Sequence, residues 1–370
     1  MTFEILNFSD ITIIYDKKRV PLSTMERNNR KGDFRYYGAQ GVIDYVDDYI
    51  FDGKYLLIAE DGENLKSKKQ NIAQIAEGKF WVNNHAHIVQ CNNKCRIEYL
   101  CFLLNSMDLS GYITGSAQPK LSQTNLNHIQ LKIPPIEIQD LILERILPLE
   151  RKIAINTAIN ENLEQQAQVI YSEMFLDNRS ETWESGMLSD IAIITMGQSP
   201  KGDTFNEAGA GVVFYQGRTD FGFRFPTRRL YTTDPKRLAK CGDTLISVRA
   251  PVGDLNTAYE ECCIGRGLAA IHSKDNHQSF VLYTLFSLKS QLDVFNGEGT
   301  VFGSINKDSL NSMGIVIPPI DMIDKFESIV SPMDKIIFKN YEEICRLQEI
   351  RDTLLSKLMN GEIDVSEVKI

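Results

Sequence analysis

No apolar run in this 370-residue sequence approaches the roughly 20 residues that a bilayer span needs, and Tyr99 to Asn105 is among the longest, so no membrane helix is expected. The opening Met1-Thr2-Phe3-Glu4 lacks the charged and apolar stretches of a secretory leader, which points to a cytoplasmic protein. Paired C-x-x-C ligands at zinc spacing are missing as well. Seven cysteines, an odd number at irregular positions, read as reduced, buried thiols rather than as a disulfide framework. Cys91 with Cys95, Cys262 with Cys263, and His272 with His277 lie close in sequence, but no metal site is assigned to them. P-loop, nucleophile-elbow and H-E-x-x-H patterns are absent, so no catalytic residue is assigned either.

Excess positive charge is lacking too: the net charge is −9, whereas nucleic-acid binding leaves a basic footprint. The charges are segregated, however. Lys17 to Gln40 holds seven Lys or Arg against two acids, and Gly217 to Arg249 holds eight against three, so each window is locally +5. The acids gather instead in Ile320 to Glu367, with eleven Asp or Glu against six Lys or Arg. Two separate basic windows suit local phosphate contact.

What is present is a repeat. Ile133-Pro134-Pro135-Ile136 returns 184 residues later as Ile317-Pro318-Pro319-Ile320, and without a gap Gly115 matches Gly299, Leu126 matches Leu310, Pro148 matches Pro332, Asn156 matches Asn340 and Leu163 matches Leu347. Upstream the likeness loosens: Asp33 to Gly38 aligns with Val212 to Gly217, and Asp52 to Ile58 with Lys240 to Ile246. The chain reads as two units of mixed α/β character, each a variable globular part followed by a better preserved helical tail. Expected boundaries are 1–135 and 179–319 for the globular parts, 136–178 and 320–361 for the helical regions, and 362–370 for a terminal tail.

In both tails the Pro-Pro ends a strand-like segment, Gln130 to Ile133 or Gly314 to Ile317, and a helical period follows. Pro148 and Pro332 are expected to break or kink each helix near its start. Beyond them the stripe Leu149, Ile153, Asn156, Asn160, Leu163, Ala167, Ile170, Met174 has its partner in Met333, Ile337, Asn340, Ile344, Leu347, Arg351, Leu354, Leu358. A lone amphipathic helix would read as ordinary core, but two matched stripes can bury each other as a helix pair. Twenty-seven residues from Leu149 to Phe175 span about 40 Å, close to the roughly 34 to 36 Å between half-sites one DNA turn apart.

The globular parts combine strand-like Lys54 to Ile58 and Thr244 to Val248 with helix-like Ile97 to Asn105 and Phe280 to Leu292. Their Gly-punctuated loops join basic, aromatic and amide side chains. In the first unit these are Arg27, Arg30, Lys31, Arg35, Tyr36, Tyr37, Gln40, Asn84, His85, Gln118 and Lys120, with Ser116 and Ala117 beside the last two. In the second they are Lys201, Gln216, Arg218, Arg224, Arg228, Arg229, Arg249, Arg266, Ser304 and Lys307, with Phe302 and Gly303 adjoining. Arg grips guanine bidentately, Asn and Gln adenine, and Lys or Ser phosphate, so these are candidate DNA contacts. His85 and His87 one residue apart could ligate a metal; lacking a third ligand in sequence, Asn84 to His87 reads as a strand. Phe295-Asn296-Gly297-Glu298-Gly299 imitates a loop that cradles S-adenosylmethionine, but no Asp-Pro-Pro-Tyr or Asn-Pro-Pro-Tyr run accompanies it, and it reads as a turn.

With the duplicated Ile-Pro-Pro-Ile, Phe80 to His87, Gly197-Gln198-Ser199-Pro200 and Gly242 to Arg249, the chain resembles the specificity subunits of type I restriction-modification systems over essentially its whole length. The resemblance implies two α+β target-recognition domains separated by two long helices in an antiparallel coiled-coil spacer, each domain reading half of a bipartite site in double-stranded DNA. It further implies two methyltransferase subunits bringing S-adenosylmethionine, restriction subunits using ATP and Mg, and no cofactor on this chain. The other readings are a self-contained adenine methyltransferase or nuclease, and a coiled-coil scaffold that does not read DNA.

Overall fold

The computed structural model describes residues 2–67, 70–115, 118–297, 303–365 and 368. Ser116, Ala117, Glu298, Gly299 and Phe302, which entered the sequence reading, lie outside the described residues. The chain forms two compact units, residues 1–153 with 345–370 (unit 1) and residues 154–344 (unit 2).

Unit 1 is built on a six-stranded sheet in the order Thr12–Ile14, Ala86–Cys91, Phe51–Ala59, Ala73–Val82, Lys31–Gly38, Gly41–Val46. One face packs on helix Ile97–Ser106 and on segments of both long helices: Leu56, Ile58, Tyr99, Leu100, Ile142, Ile146, Leu355 and Leu358 share one core. Unit 2 holds a four-stranded sheet, Ala192–Met196, Leu268–Ser273, Thr244–Ser247, Leu255–Thr257, and a five-stranded sheet centred on Val212–Tyr215. In each unit a short strand pair closes the recognition part: Glu4–Asn7 with Gln130–Ile133, and Glu184–Met187 with Gly314–Ile317. The second and fourth of these strands are the two segments that run into Pro-Pro. Helix-like Phe280 to Leu292 is two helices, Gln278–Ser287 and Lys289–Asp293.

The long helices run Ile136–Tyr171 and Ile320–Met359, without interruption at Pro148 or Pro332. The expected break is absent. A mid-helix proline forfeits one hydrogen bond at about 3 kcal/mol, whereas each fully buried Leu or Ile contributes about 1.5–3 kcal/mol. Ile142, Ile146 and Leu149 around Pro148, and Phe326, Val330 and Ile337 around Pro332, are buried, so packing outweighs the loss. The helix segments are antiparallel within each unit. In unit 1, Arg351 Nη1 donates to Glu150 Oε1 at 3.0 Å. In unit 2, Asn156 Nδ2 donates to Glu343 Oε2 at 2.7 Å and Asn340 Nδ2 to Asn160 Oδ1 at 2.9 Å. Of the predicted interface residues, Leu149, Ile153, Asn156, Ile337 and Leu358 are buried, and Leu163, Ile170, Asn340, Leu347 and Leu354 are half-buried. The paired asparagines put polar groups in the seam, which fixes register at some cost in stability.

Candidate nucleic-acid interface

In unit 2, strands Val212–Tyr215 and Cys262–Ile264 run parallel, so Gln216 and Gly265 leave the sheet side by side. The Gly265 amide donates to the Tyr215 carbonyl at 2.8 Å, and the Gly267 amide to that of Gln216 at 3.1 Å. Strand Thr244–Ser247 is antiparallel to Leu268–Ser273, which brings the Val248 amide to the Gly267 carbonyl at 2.9 Å. The Ile305 amide then donates to Val248 at 3.0 Å, Arg249 forms a β-bridge with Ser304, and the Arg266 amide reaches Ser199 Oγ at 3.3 Å. Five separate chain segments thus meet around Arg266. A Cβ on Gly265 or Gly267 would lie 2.9 Å from Gln216 Cα or 2.7 Å from its carbonyl oxygen, so this close approach requires glycine at both positions. Gln216, Arg249, Arg266 and Ser304 are exposed here, and exposed Lys201, Arg218 and Lys307 lie two residues beyond Ser199, Gln216 and Ile305. Arg218 is paired with Asp254.

Unit 1 repeats the frame. The Asn83 amide donates to Tyr37 at 3.0 Å, Glu60 to His85 at 2.9 Å and Leu121 to Glu60 at 2.8 Å, while Asp61 bridges Lys120. Asn83, Asn84 and His85 therefore correspond to Gly265, Arg266 and Gly267, and Glu60 and Asp61 to Val248 and Arg249. Exposed Asn84, His85, Gln118 and Lys120 gather at this end, with exposed Gln40 in the turn after Gly38. Asn84 and His85 form a turn rather than the predicted strand, which starts at Ala86. The cause is local: the Asn83 side chain accepts from the His85 amide at 2.8 Å.

Beneath that turn His87 is buried. Its Nδ1 lies 2.6 Å from Asp16 Oδ2 and its Nε2 2.8 Å from the Leu121 carbonyl. Asp16 Oδ1 also accepts from the Ile88 amide at 2.9 Å, and the two oxygens of Glu60 face Arg19 at 2.6 Å and Lys120 at 3.1 Å. Burial pushes the Asp16 carboxyl up, but the hydrogen bonds from His87 and Ile88 and the charges of His87 and Arg19 outweigh it and hold it below the usual carboxylate value. Glu60 is held down in the same way, chiefly by Arg19, His87 and Lys120 against its burial. Asp16, Glu60 and His87 have the make-up of a cation site. Every one of their donor atoms is already engaged, so the arrangement is an ion-pair network.

Several predicted contacts lie elsewhere. Tyr36 is fully buried and Tyr37 packs edge-on against Phe80, so both are core residues whose rings are closed to DNA. Arg27 and Lys31 pair with Asp44, and Arg30 with Asp47; Arg27 and Arg30 also cover the rings of Tyr36 and Trp81. Lys31, the Tyr45 amide and Arg27 pull the Asp44 carboxyl down to about 2. Three cations of the first basic window are in this way paired with acids just beyond it, and Arg35 leans on the Tyr37 hydroxyl at 3.3 Å. Arg224 is a correction of another kind. It is 5% exposed and donates to Glu164 at 2.8 Å and to Asp334 at 2.6 Å, one carboxylate from each long helix, so it fastens the recognition part to the helices and is withdrawn from DNA. Burial keeps the Glu164 carboxyl above its usual value even beside this guanidinium. Arg228 pairs with Glu260 over the Tyr259 ring, and Arg229 grips both oxygens of Asp220. At the end of unit 2, Asn296 of the imitated cofactor loop accepts from the Val252 amide and serves packing.

A family profile described as "Type I restriction modification DNA specificity domain" matches residues 2–165 and again 180–348. The chain belongs to that family. It is 32% identical to a putative type I restriction enzyme MjaX specificity subunit of Methanocaldococcus jannaschii, over 87% of this chain and 83% of the relative. It is 26% identical to a putative type I restriction enzyme specificity subunit of Haemophilus influenzae, over 87% of each chain. In fold it is similar to the crystal structure of a type I restriction-modification S subunit from M. genitalium, with a TM-score of 0.59 at 14% identity over 97% of this chain and 96% of that one. The protein is thus a DNA-recognition subunit with two target-recognition domains, and the chemistry of the system resides in other subunits. No helix among the described residues is long and apolar enough to cross a membrane.

Proposed function

We propose that each unit reads one half of an interrupted duplex sequence in the cytoplasm, and that the long helices dock two methyltransferase subunits that bring S-adenosylmethionine and adenine N6 chemistry. Restriction subunits using ATP and Mg complete the full complex. The observation that carries this reading is the shared backbone frame at one end of both recognition parts, on which unit 1 displays Asn84 and His85 and unit 2 displays Arg266. A common scaffold with divergent exposed side chains is what two readers of different half-sites require. Docking is supported by Ile155, Ile159, Ile329 and Ile336 on the long helices, each 40% exposed or more, large apolar side chains that a covering partner would take out of water.

Methylation sequencing of cells carrying the intact system tests it. Exchanging residues 180–316 for those of a relative should replace one half of the methylated sequence and leave the other, lowering affinity for the old site by roughly a thousandfold or more. Adding four residues to both helices should change only the unread spacer. A simultaneous change of both halves after the exchange would sink the two-reader scheme, and methylation by the purified chain alone would return the chemistry to this polypeptide.

A further inference from the structure

We infer that Arg266 is a base-reading residue for guanine in the half-site met by unit 2, and that Asn84 occupies the corresponding reading position, suited to adenine, in unit 1. The inference rests on the DNA-recognition reading above and says which side chains perform it.

Arg266 stands at the apex of the turn between strands Cys262–Ile264 and Leu268–Ser273, and the peptide on either side of it is fixed. Gly265 donates to Tyr215 at 2.8 Å, Gly267 to Gln216 at 3.1 Å, Leu268 to Gly265 at 3.0 Å, and the carbonyl of Gly267 accepts from Val248 at 2.9 Å. The glycines let that turn lie against the Gln216 backbone at a distance no side chain tolerates. The Arg266 side chain is nevertheless exposed, and no carboxylate pairs with it among the described residues. Arg218, Arg224, Arg228 and Arg229 differ in this respect, since each is tied to Asp254, to Glu164 and Asp334, to Glu260 or to Asp220. A guanidinium on a held backbone, with its fork unspent, suits the O6 and N7 acceptors of guanine in the major groove, because little ordering remains to be done on contact.

Unit 1 supplies the independent support. Two of those amide bonds recur about the turn Asn83-Asn84-His85, Asn83 to the Tyr37 carbonyl at 3.0 Å and Glu60 to that of His85 at 2.9 Å, and Asn84 stands where Arg266 stands. Its side chain is exposed and makes no hydrogen bond among the described residues; only its carbonyl is engaged, by Arg19 at 3.3 Å. An amide with one donor and one acceptor free matches the N6 and N7 edge of adenine. One position in the frame therefore carries, in both units, a side chain free to meet a base.

The test uses the assembled complex and a duplex carrying the sequence methylated in cells, with single 7-deazaguanine or 7-deazaadenine substitutions that remove only N7. One guanine in the unit 2 half should cost the wild type roughly tenfold in affinity when replaced by 7-deazaguanine, within the range of a bidentate contact. Arg266→Ala, which gives up the O6 contact as well as that to N7, should bind the unmodified duplex at least as weakly as the wild type binds that analogue, and should be indifferent to the substitution. Arg266→Lys, which keeps the charge without the fork, should not restore discrimination. Asn84→Ala should show the same indifference to one 7-deazaadenine in the other half. If Arg266→Ala weakens all duplexes alike, lowers the salt dependence by about one phosphate contact and is rescued by lysine, Arg266 holds backbone and the proposal fails. If the wild-type complex cannot tell its methylated sequence from a scrambled duplex, the recognition reading itself falls.

Discussion

The two recognition parts share a backbone frame and disagree about what fills it. In unit 1 the end of the sheet is underlain by Asp16, Glu60 and His87; the strand registers put Met196, Val248 and Ala269 at the corresponding places in unit 2, where Val248 and Ala269 are buried. An ion-pair network in one copy is matched by apolar packing in the other. The fold therefore tolerates either solution, and the network answers to something other than the frame it supports. Arg224 shows the converse. Unit 2 keeps its own buried ion cluster against the helices, with Tyr283 donating to Asp334 at 3.1 Å beside the guanidinium.

Removing Arg224 should have the largest effect on stability. Arg224→Ala strands the half-buried carboxylates of Glu164 and Asp334, and since a buried pair broken from one side costs about 3–5 kcal/mol while these two acids keep some contact with water, this variant belongs at the lower end. Denaturant unfolding should show the loss in unit 2, and an unchanged midpoint would mean that the clamp is not the fastening described. His87→Ala in unit 1 should cost about 3 kcal/mol by the same logic. The triple replacement Asp16→Met, Glu60→Val, His87→Ala copies unit 2 and should recover most of that loss, since buried ion networks are often replaced by packed apolar groups at no cost. Arg19 would keep the carbonyls of Asp16, Asn84 and Ala86 as acceptors. A triple variant less stable than His87→Ala would mean that the two frames are not interchangeable.

Acidification should separate the units by sign. Asp16 and Glu60 are held below their ordinary values, so the stability they give unit 1 is full above about 4.5 and is lost as the pH falls through their folded values. Glu164 and Glu327 in unit 2 are raised, chiefly by burial, so the folded state holds their protons more tightly than the unfolded chain does. Their contribution improves as the pH falls through the window just above 4.5. Hydrogen exchange followed from pH 7 to about 3 should show protection falling earlier around His87 than around Arg224; the reverse order would contradict both assignments.

How far the sequence discloses this comparison depends on insertions. The offset of 184 holds from Lys120 and Ser304 onward, which is why the tails, the Pro-Pro junctions and the helix stripes are readable. Upstream, the hydrogen-bond frame pairs Glu60 with Val248, an offset of 188, and Asn83 with Gly265, an offset of 182. Loops of unequal length between the strands scramble the register, so the alignment of Asp52 to Ile58 with Lys240 to Ile246 is right while that of Asp33 to Gly38 with Val212 to Gly217 is one residue out: Tyr37 stands with Tyr215. The site was half legible for a different reason. Residue type and loop context select Asn84, Gln216 and Arg266, but whether an arginine is free depends on acids far away in sequence. Glu164 and Asp334 lie 60 and 110 residues from Arg224, beyond any local charge count.

The smallest expected effect concerns the second basic window, which on charge alone looks like the strongest DNA contact. Arg228 and Arg229 are each about half exposed and each bound to a carboxylate. A paired surface cation adds little to the local potential, and approach of a phosphate would first have to displace Glu260 or Asp220. Arg228→Ala with Arg229→Ala should therefore change the affinity of the assembled complex for its methylated duplex by less than about twofold, with little change in the dependence on salt. Titrations at two salt concentrations read both quantities together. A drop comparable to that of Arg266→Ala, accompanied by a shallower salt slope, would move the DNA path from the turn at Arg266 to the face carrying Tyr259, and the correspondence between Asn84 and Arg266 would lose its meaning for recognition.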